Sequence, residues 1–116
     1  MISIRYEDGG VVIVLENVEH LNYDTEFCKE KLLESVIVRD VDKKFVFDMG
    51  TVSTVDKKAL GEILLFWKRV YFRRGEVVFV NANEKILRAL KELGLSEIFK
   101  VYATLNEALA TKNESD

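Results

Sequence analysis

Ile2, Ile4 and Tyr6 alternate with polar neighbours, the period-2 mark of a half-buried strand. Glu7-Asp8-Gly9-Gly10 supplies turn chemistry, and the continuous apolar run Val11 to Leu15 follows, so the chain opens with a predicted β-hairpin. The stretch from Asn17 to Asn22 reads as irregular. Asp24 then caps a helix through about Val36, with Thr25, Cys28, Leu32 and Val36 on one face. Asp40 to Lys44 is a charged connector. Phe45-Val46-Phe47 is short and apolar on both faces, which suits a central strand covered on both sides. Asp48 to Val55 is a loop. A helix follows from about Asp56 to Phe72, and its apolar stripe is Leu60, Ile63, Leu64, Trp67, Val70 and Tyr71. Arg73-Arg74-Gly75 ends it, with cations near the negative helix end and Gly as the stop. Val77 to Val80 is a second buried strand. Asn83 caps a helix carrying Ile86, Leu90 and Leu93, and Gly94 closes it. An apolar stretch from Ile98 to Tyr102 and a last helix from about Asn106 complete the core, and the polar tail from Thr111 to Asp116 is expected to fray.

A hairpin followed by alternating helix and strand predicts an α/β domain. Helix-linked strands run parallel with right-handed crossovers, so the expected sheet is mixed, mostly parallel, opened by the hairpin and packed with about four helices. One domain over residues 1–112 and a frayed tail over 113–116 are expected. No internal repeat or linker interrupts the pattern.

Composition narrows the function more than the fold. With 116 residues, 48% hydrophobic and 32% charged, the chain is long enough and apolar enough to build one core without disulfides. A net charge of -3 argues against a protein that grips phosphate backbones, so no nucleic-acid partner is expected. The N-terminus lacks the apolar run of a signal peptide, and no stretch approaches the ~18 apolar residues of a membrane span. The single Cys fits a reducing compartment. A cytoplasmic protein without membrane insertion is the expectation.

Catalytic signatures are scarce. His20 is the only His and Cys28 the only Cys, so neither has a partner at metal-ligand spacing. His20 reads as a loop residue and Cys28 as a small core residue. There is no Walker loop, no G-x-G-x-x-G and no G-x-S-x-G elbow, and no cofactor is expected. Phe47-Asp48-Met49-Gly50-Thr51 is similar to the apolar-D-[ST]-G-[ST] signature of aspartic proteases, but Met49 stands where that chemistry needs a hydroxyl. Asp48 therefore reads as a loop residue that accepts backbone hydrogen bonds, with an enzyme using Asp48 as the rival reading.

Phe45 to Gly61, FVFDMGTVSTVDKKALG, resembles the central motif of the STAS domain family (sulfate transporter and anti-sigma factor antagonist): an apolar strand, D-L-S-G-V, an apolar pair, then D-S-S-G-L-G. The resemblance continues through Arg74-Gly-Glu-Val-Val-Phe-Val-Asn, through Leu90-x-x-Leu93-Gly94-Leu95-x-x-x-Phe99, and into Leu105-Asn-Glu-Ala-Leu. It implies a non-catalytic switch module. Bacterial anti-sigma factor antagonists of this family bind a kinase-like anti-sigma factor and so free a sigma factor. Phosphorylation of the second hydroxyl residue of D-S-S ends the association, because a phosphoryl adds about -1.5 to -2 charges at a packed interface. The alternative is a STAS subunit of another assembly, a stress-signalling complex or an inner-membrane lipid-transport complex.

This chain departs from the motif at its centre. The residues after Asp56 are Lys57 and Lys58, so the phosphoacceptor slot holds Lys58, which cannot be phosphorylated as Ser or Thr is; Ala59 follows, then Leu60 and Gly61 as in the family. Two lysines in the first turn of a helix oppose its dipole by about 0.3–1 kcal/mol each, a cost that Asp56 offsets as a cap. The expected switch loop comprises Asp56, Lys57, Lys58, Leu60 and Gly61, with Ser53 and Thr54 beside it. Lys58, Leu65 and Phe72 fall on one line of the helix away from Ile63 and Trp67. Leu65 and Phe72 are either a strip for a partner or packing against a neighbouring helix. The oligomeric expectation is a monomer or weak dimer.

Overall fold

The computed structural model describes residues 2–22 and 43–110. Seven strands and three helices lie within them. The hairpin is β1 (Ile2–Glu7) and β2 (Gly10–Leu15), paired antiparallel with Ile4 opposite Ile13. Gly9 makes the turn at a φ of 94°, where a Cβ would run into the Leu109 carbonyl, so the position accepts little else. β4 (Lys44–Asp48), β6 (Glu76–Val80) and β7 (Lys100–Tyr102) add in parallel, giving the order β1-β2-β4-β6-β7. The mixed, mostly parallel sheet expected from the sequence is present. The helix predicted over Asp24 to Val36 and the tail from Thr111 lie outside the described residues.

Both faces of the sheet are covered, which is why β4 and β6 are apolar on both sides. On one face lie α1 (Lys57–Phe72) and α2 (Glu84–Glu92), over Phe45, Phe47 and Phe79. Phe66 of α1 meets Phe45 and Phe47 edge-on at 5.2 and 5.8 Å between ring centroids, and Phe79 stacks on Phe99 at 5.0 Å. The predicted stripe holds at Leu60, Ile63 and Val70, with Leu64 and Trp67 partly buried against the same core, but these rings extend the buried face to Phe66 and leave out Tyr71. Ala59, Leu60, Ile63, Phe66 and Val70 are buried, whereas Tyr71 is 61% exposed. The strand phenyl rings require an aromatic partner at the helix, and Phe66 supplies it.

On the other face the short α3 (Leu105–Ala110) covers Val12, Val46, Val78 and Val80 with Ala108. Lys44, read in the sequence as the end of a charged connector, is instead the first residue of β4 and is buried there. Its Nζ donates to the Ala108 carbonyl at 2.7 Å. Burial pushes the Lys44 amine below its ordinary pKa; the Glu76 charge opposes that shift and the Lys100 charge adds to it.

Helix ends follow local chemistry. Asp56 Oδ1 accepts from Ala59 N at 2.8 Å and Asn83 Oδ1 from Ile86 N at 2.9 Å, the two predicted N-caps. Gly94 leaves α2 at a φ of 73°. At the end of α1 the left-handed residue is Arg74, with a φ of 63°, rather than Gly75. Gly75 is needed for closeness: a Cβ there would lie 2.6 Å from the Lys43 carbonyl oxygen and 2.7 Å from Val70 Cγ1.

Candidate functional site

The loop between β4 and α1 is anchored from below and from both sides. Met49 and Val52 are buried, and Met49 N donates to the Val80 carbonyl at 3.0 Å. The apolar Met49 thus plugs the loop into the core at the position where a hydroxyl would serve protease chemistry. Asp48 Oδ1 accepts from Gly50 N at 3.0 Å and from Asn81 Nδ2 at 3.1 Å. That carboxylate braces the loop, as its position at a strand end implied. Thr51 Oγ1 donates to the Leu15 carbonyl at 2.7 Å, which ties the loop to the end of β2.

A second, two-stranded parallel sheet holds the loop from the side. The segment read as irregular contains β3 (His20–Leu21), and the predicted loop contains β5 (Thr54–Val55), with His20 opposite Thr54. Ser53 N and Thr54 N donate to the Glu19 carbonyl at 2.6 and 3.2 Å, and Asp56 N to the Leu21 carbonyl at 3.0 Å. His20 Nδ1 and Thr54 Oγ1 share a hydrogen bond of 2.7 Å. His20 is therefore a loop clasp rather than a loose residue. Glu19 lies 3.9 Å from its Nε2, but both side chains are well exposed, so that ion pair contributes little. From the third side Asn83 Nδ2 donates to the Val52 and Ser53 carbonyls at 3.3 and 2.9 Å.

This frame sets the head of α1 in space. Lys57 and Lys58 are exposed in the first turn, directly after the Asp56 cap. Gly61 is exposed one turn on, and a Cβ there would meet nothing within 4 Å among the described residues. Glycine in a helix interior costs roughly 0.5–1 kcal/mol relative to Ala, and no neighbour among the described residues requires it here. Leu60, placed in the switch loop by sequence, is 1% exposed and belongs to the core. Ser53 and Thr54 are half-buried, Thr54 with its hydroxyl engaged. Leu65 is 52% and Phe72 81% exposed, so neither packs into the domain. Lys58, Gly61, Leu65 and Phe72 thus form one outward row along the helix.

Sequence reasoning missed the clasp residues. Asn83 declared itself only as a cap, and its reach to Ser53 spans thirty positions. His20 and Thr54 lie thirty-four apart, beyond any local signal.

The STAS domain family model matches residues 4–108. A Thermotoga neapolitana protein, named as a candidate anti-sigma factor antagonist, is 30% identical over 99 residues, which cover 85% of this chain and 87% of that protein. A Thermotoga maritima protein named in the same way is 28% identical over 99 residues, again 85% of this chain and 87% of that protein. The crystal structure of a candidate anti-sigma factor antagonist from Thermotoga maritima superposes with a TM-score of 0.77 at 25% identity, covering 92% of this chain and 90% of that one. Among the described residues no helix is long and apolar enough to cross a membrane.

Proposed function

Because the chain belongs to the STAS domain family, we propose that it acts as an anti-sigma factor antagonist: a non-catalytic, cytoplasmic regulator of transcription that binds a kinase-like anti-sigma factor and so releases a sigma factor. The names of its relatives support the role. The observation that carries the site is Lys58, exposed in the first turn of a helix whose approach loop is braced from three directions. A surface held this firmly loses little entropy on binding.

Lys58 occupies the family's phosphoacceptor position and replaces its chemistry. A Ser there is neutral until a kinase adds about two negative charges. A Lys has no hydroxyl to take up that phosphoryl group, so the binding state does not alternate by that route. In this reading Lys57 and Lys58 meet an acidic patch of the partner, Gly61 lets the partner's backbone approach the helix, and Leu65 and Phe72 supply the apolar contact. Ser53, Thr54 and Asp56 hold the loop in register.

Affinity for the anti-sigma factor, measured at low and high salt for the native protein, Lys58→Glu and Lys58→Ser, tests this. Native binding should be tightest and should weaken with salt, because partly exposed charges are screened over about 8–10 Å. Lys58→Glu should associate most slowly, imitating a phosphorylated relative, and Lys58→Ser should fall between. Equal affinities for all three would place Lys58 outside the interface.

A further inference from the structure

The two edges of the main sheet are protected unequally. β7 is three residues long and carries Lys100, and both shortness and lysine discourage pairing with another chain. β1 is six residues long and has no Pro, no Lys and no bulge, since Ile2 to Glu7 pair with β2 in unbroken register. The end of this strand is open to solvent: Arg5, Tyr6 and Glu7 are all exposed, Tyr6 by 56%. Arg5 and Glu7 share one face of the sheet, and Tyr6 points to the other. Within the hairpin Arg5 stands opposite Val12 and Glu7 opposite Gly10, so neither charge is matched across the strand pair. Among the described residues neither side chain has an ion-pair or hydrogen-bond partner. Glu16 and Asp48 line a shallow cavity with Arg5 but stand away from the edge. Glu16 lies past the far end of β2, and Asp48 is on the third strand of the sheet, held by Gly50 and Asn81.

We propose that a second copy of this chain pairs its own β1 antiparallel along this edge, about a two-fold axis centred on Tyr6. Reversing the order Arg5-Tyr6-Glu7 exchanges the two charges. This axis therefore sets Arg5 opposite the partner's Glu7 and Glu7 opposite the partner's Arg5, while the two tyrosines meet on the other face. Such self-complementarity is the condition that a two-fold interface imposes, and a different partner has no need of it. Other registers are poorer. A slip of one residue sets the charged face of one strand against the apolar face of the other. An axis on Arg5 brings two arginines together, and an axis on Ile4 sets Arg5 against Ser3 and Glu7 against residue 1. The outward N–H and C=O groups of alternate residues along the edge supply the hydrogen bonds. Only the exposed end of each strand overlaps, with Asp8 beyond it in the turn, so the contact is small and the dimer exchanges with monomer. None of these residues belongs to the surface given to the anti-sigma factor, so the pairing stands apart from that reading.

Sedimentation equilibrium of the native protein from micromolar to millimolar concentration should show a monomer–dimer equilibrium that added salt weakens. Arg5→Glu and Glu7→Arg each place like charges opposite one another in both pairs, and each alone should weaken dimerisation about tenfold. Mixed in equal amounts, the two variants should recover the native affinity, because their heterodimer restores both opposite-charge pairs. A chain carrying both reversals should dimerise like the native one. Both positions are exposed and face no charge within the hairpin, so thermal unfolding should be unchanged. Lys85→Glu, an exposed charge reversal on α2, should leave the equilibrium as it is. A native protein still monomeric at millimolar concentration would overturn the self-pairing. A dimer that survives both single reversals would place the interface elsewhere. Losses that neither mixing nor the double reversal restores would overturn the register about Tyr6.

Discussion

Leu65 and Phe66 are neighbours on one helix and both are large and apolar, yet one is 52% exposed and the other 3%. Phe66 sits at the meeting point of the strand phenyl rings, 5.2 Å from Phe45 and 5.8 Å from Phe47. Leu65 faces outward in the row that begins at Lys58, passes Gly61 and ends at Phe72. The inward face obeys the rules of a core: close packing, rings edge-on and no polar atoms. The outward face breaks local rules, with cations at the positive helix end, a helical glycine that no described neighbour requires, and exposed apolar side chains. Departures that cost folding energy on one face only are what a recognition surface leaves behind. One face of α1 should therefore report on stability and the other on binding.

Three substitutions set these faces against each other. Phe66→Ala should produce the largest effect, about 3–5 kcal/mol of lost stability from the cavity left among the phenyl rings. Denaturant unfolding measures it, and a loss below about 1 kcal/mol would mean that the aromatic cluster does not organise the core. Gly61→Ala should raise stability by about 0.5–1 kcal/mol, since a methyl there meets no described neighbour within 4 Å. The same variant should bind the anti-sigma factor less tightly. A gain in stability with full binding would remove Gly61 from the partner surface and leave its helical glycine unexplained. Leu65→Asp should change stability least, by less than about 0.5 kcal/mol, because its side chain is already in water. Its affinity should nonetheless fall about tenfold if Leu65 is an apolar contact. Unfolding of this variant would show that Leu65 packs within the domain, and unchanged binding would confine the interface to the head of the helix.

The strands and caps were legible because their causes are local. A period of two in Ile2, Ile4 and Tyr6, a two-faced apolar run in Phe45 to Phe47, and Asp56 and Asn83 just ahead of their helices are each read within a few residues. So was the bracing role of Asp48, whose side chain bonds to Gly50 two residues on. The motif order from Phe45 to Leu109 pointed to the family, and the match over residues 4–108 bears that out.

What the sequence could not decide depends on partners far away along the chain. Periodicity gave α1 an apolar side but set its stripe through Tyr71, because the packing that extends the buried face to Phe66 comes from Phe45 and Phe47 on a strand. The pairing of β3 with β5 rests on His20 meeting Thr54, and two-residue strands have no period to read. Lys44 looked like a solvated connector; it is buried because Ala108, sixty-four residues later, offers its carbonyl. Leu65 and Phe72 could be core or surface by pattern alone, and only the placed sheet settled that they face water. Local sequence specifies which elements form and where they stop, since capping and alternation act over one turn or one pleat. Which face of each element is buried is a property of the assembled layers, set by contacts whose members are not neighbours until the chain has folded.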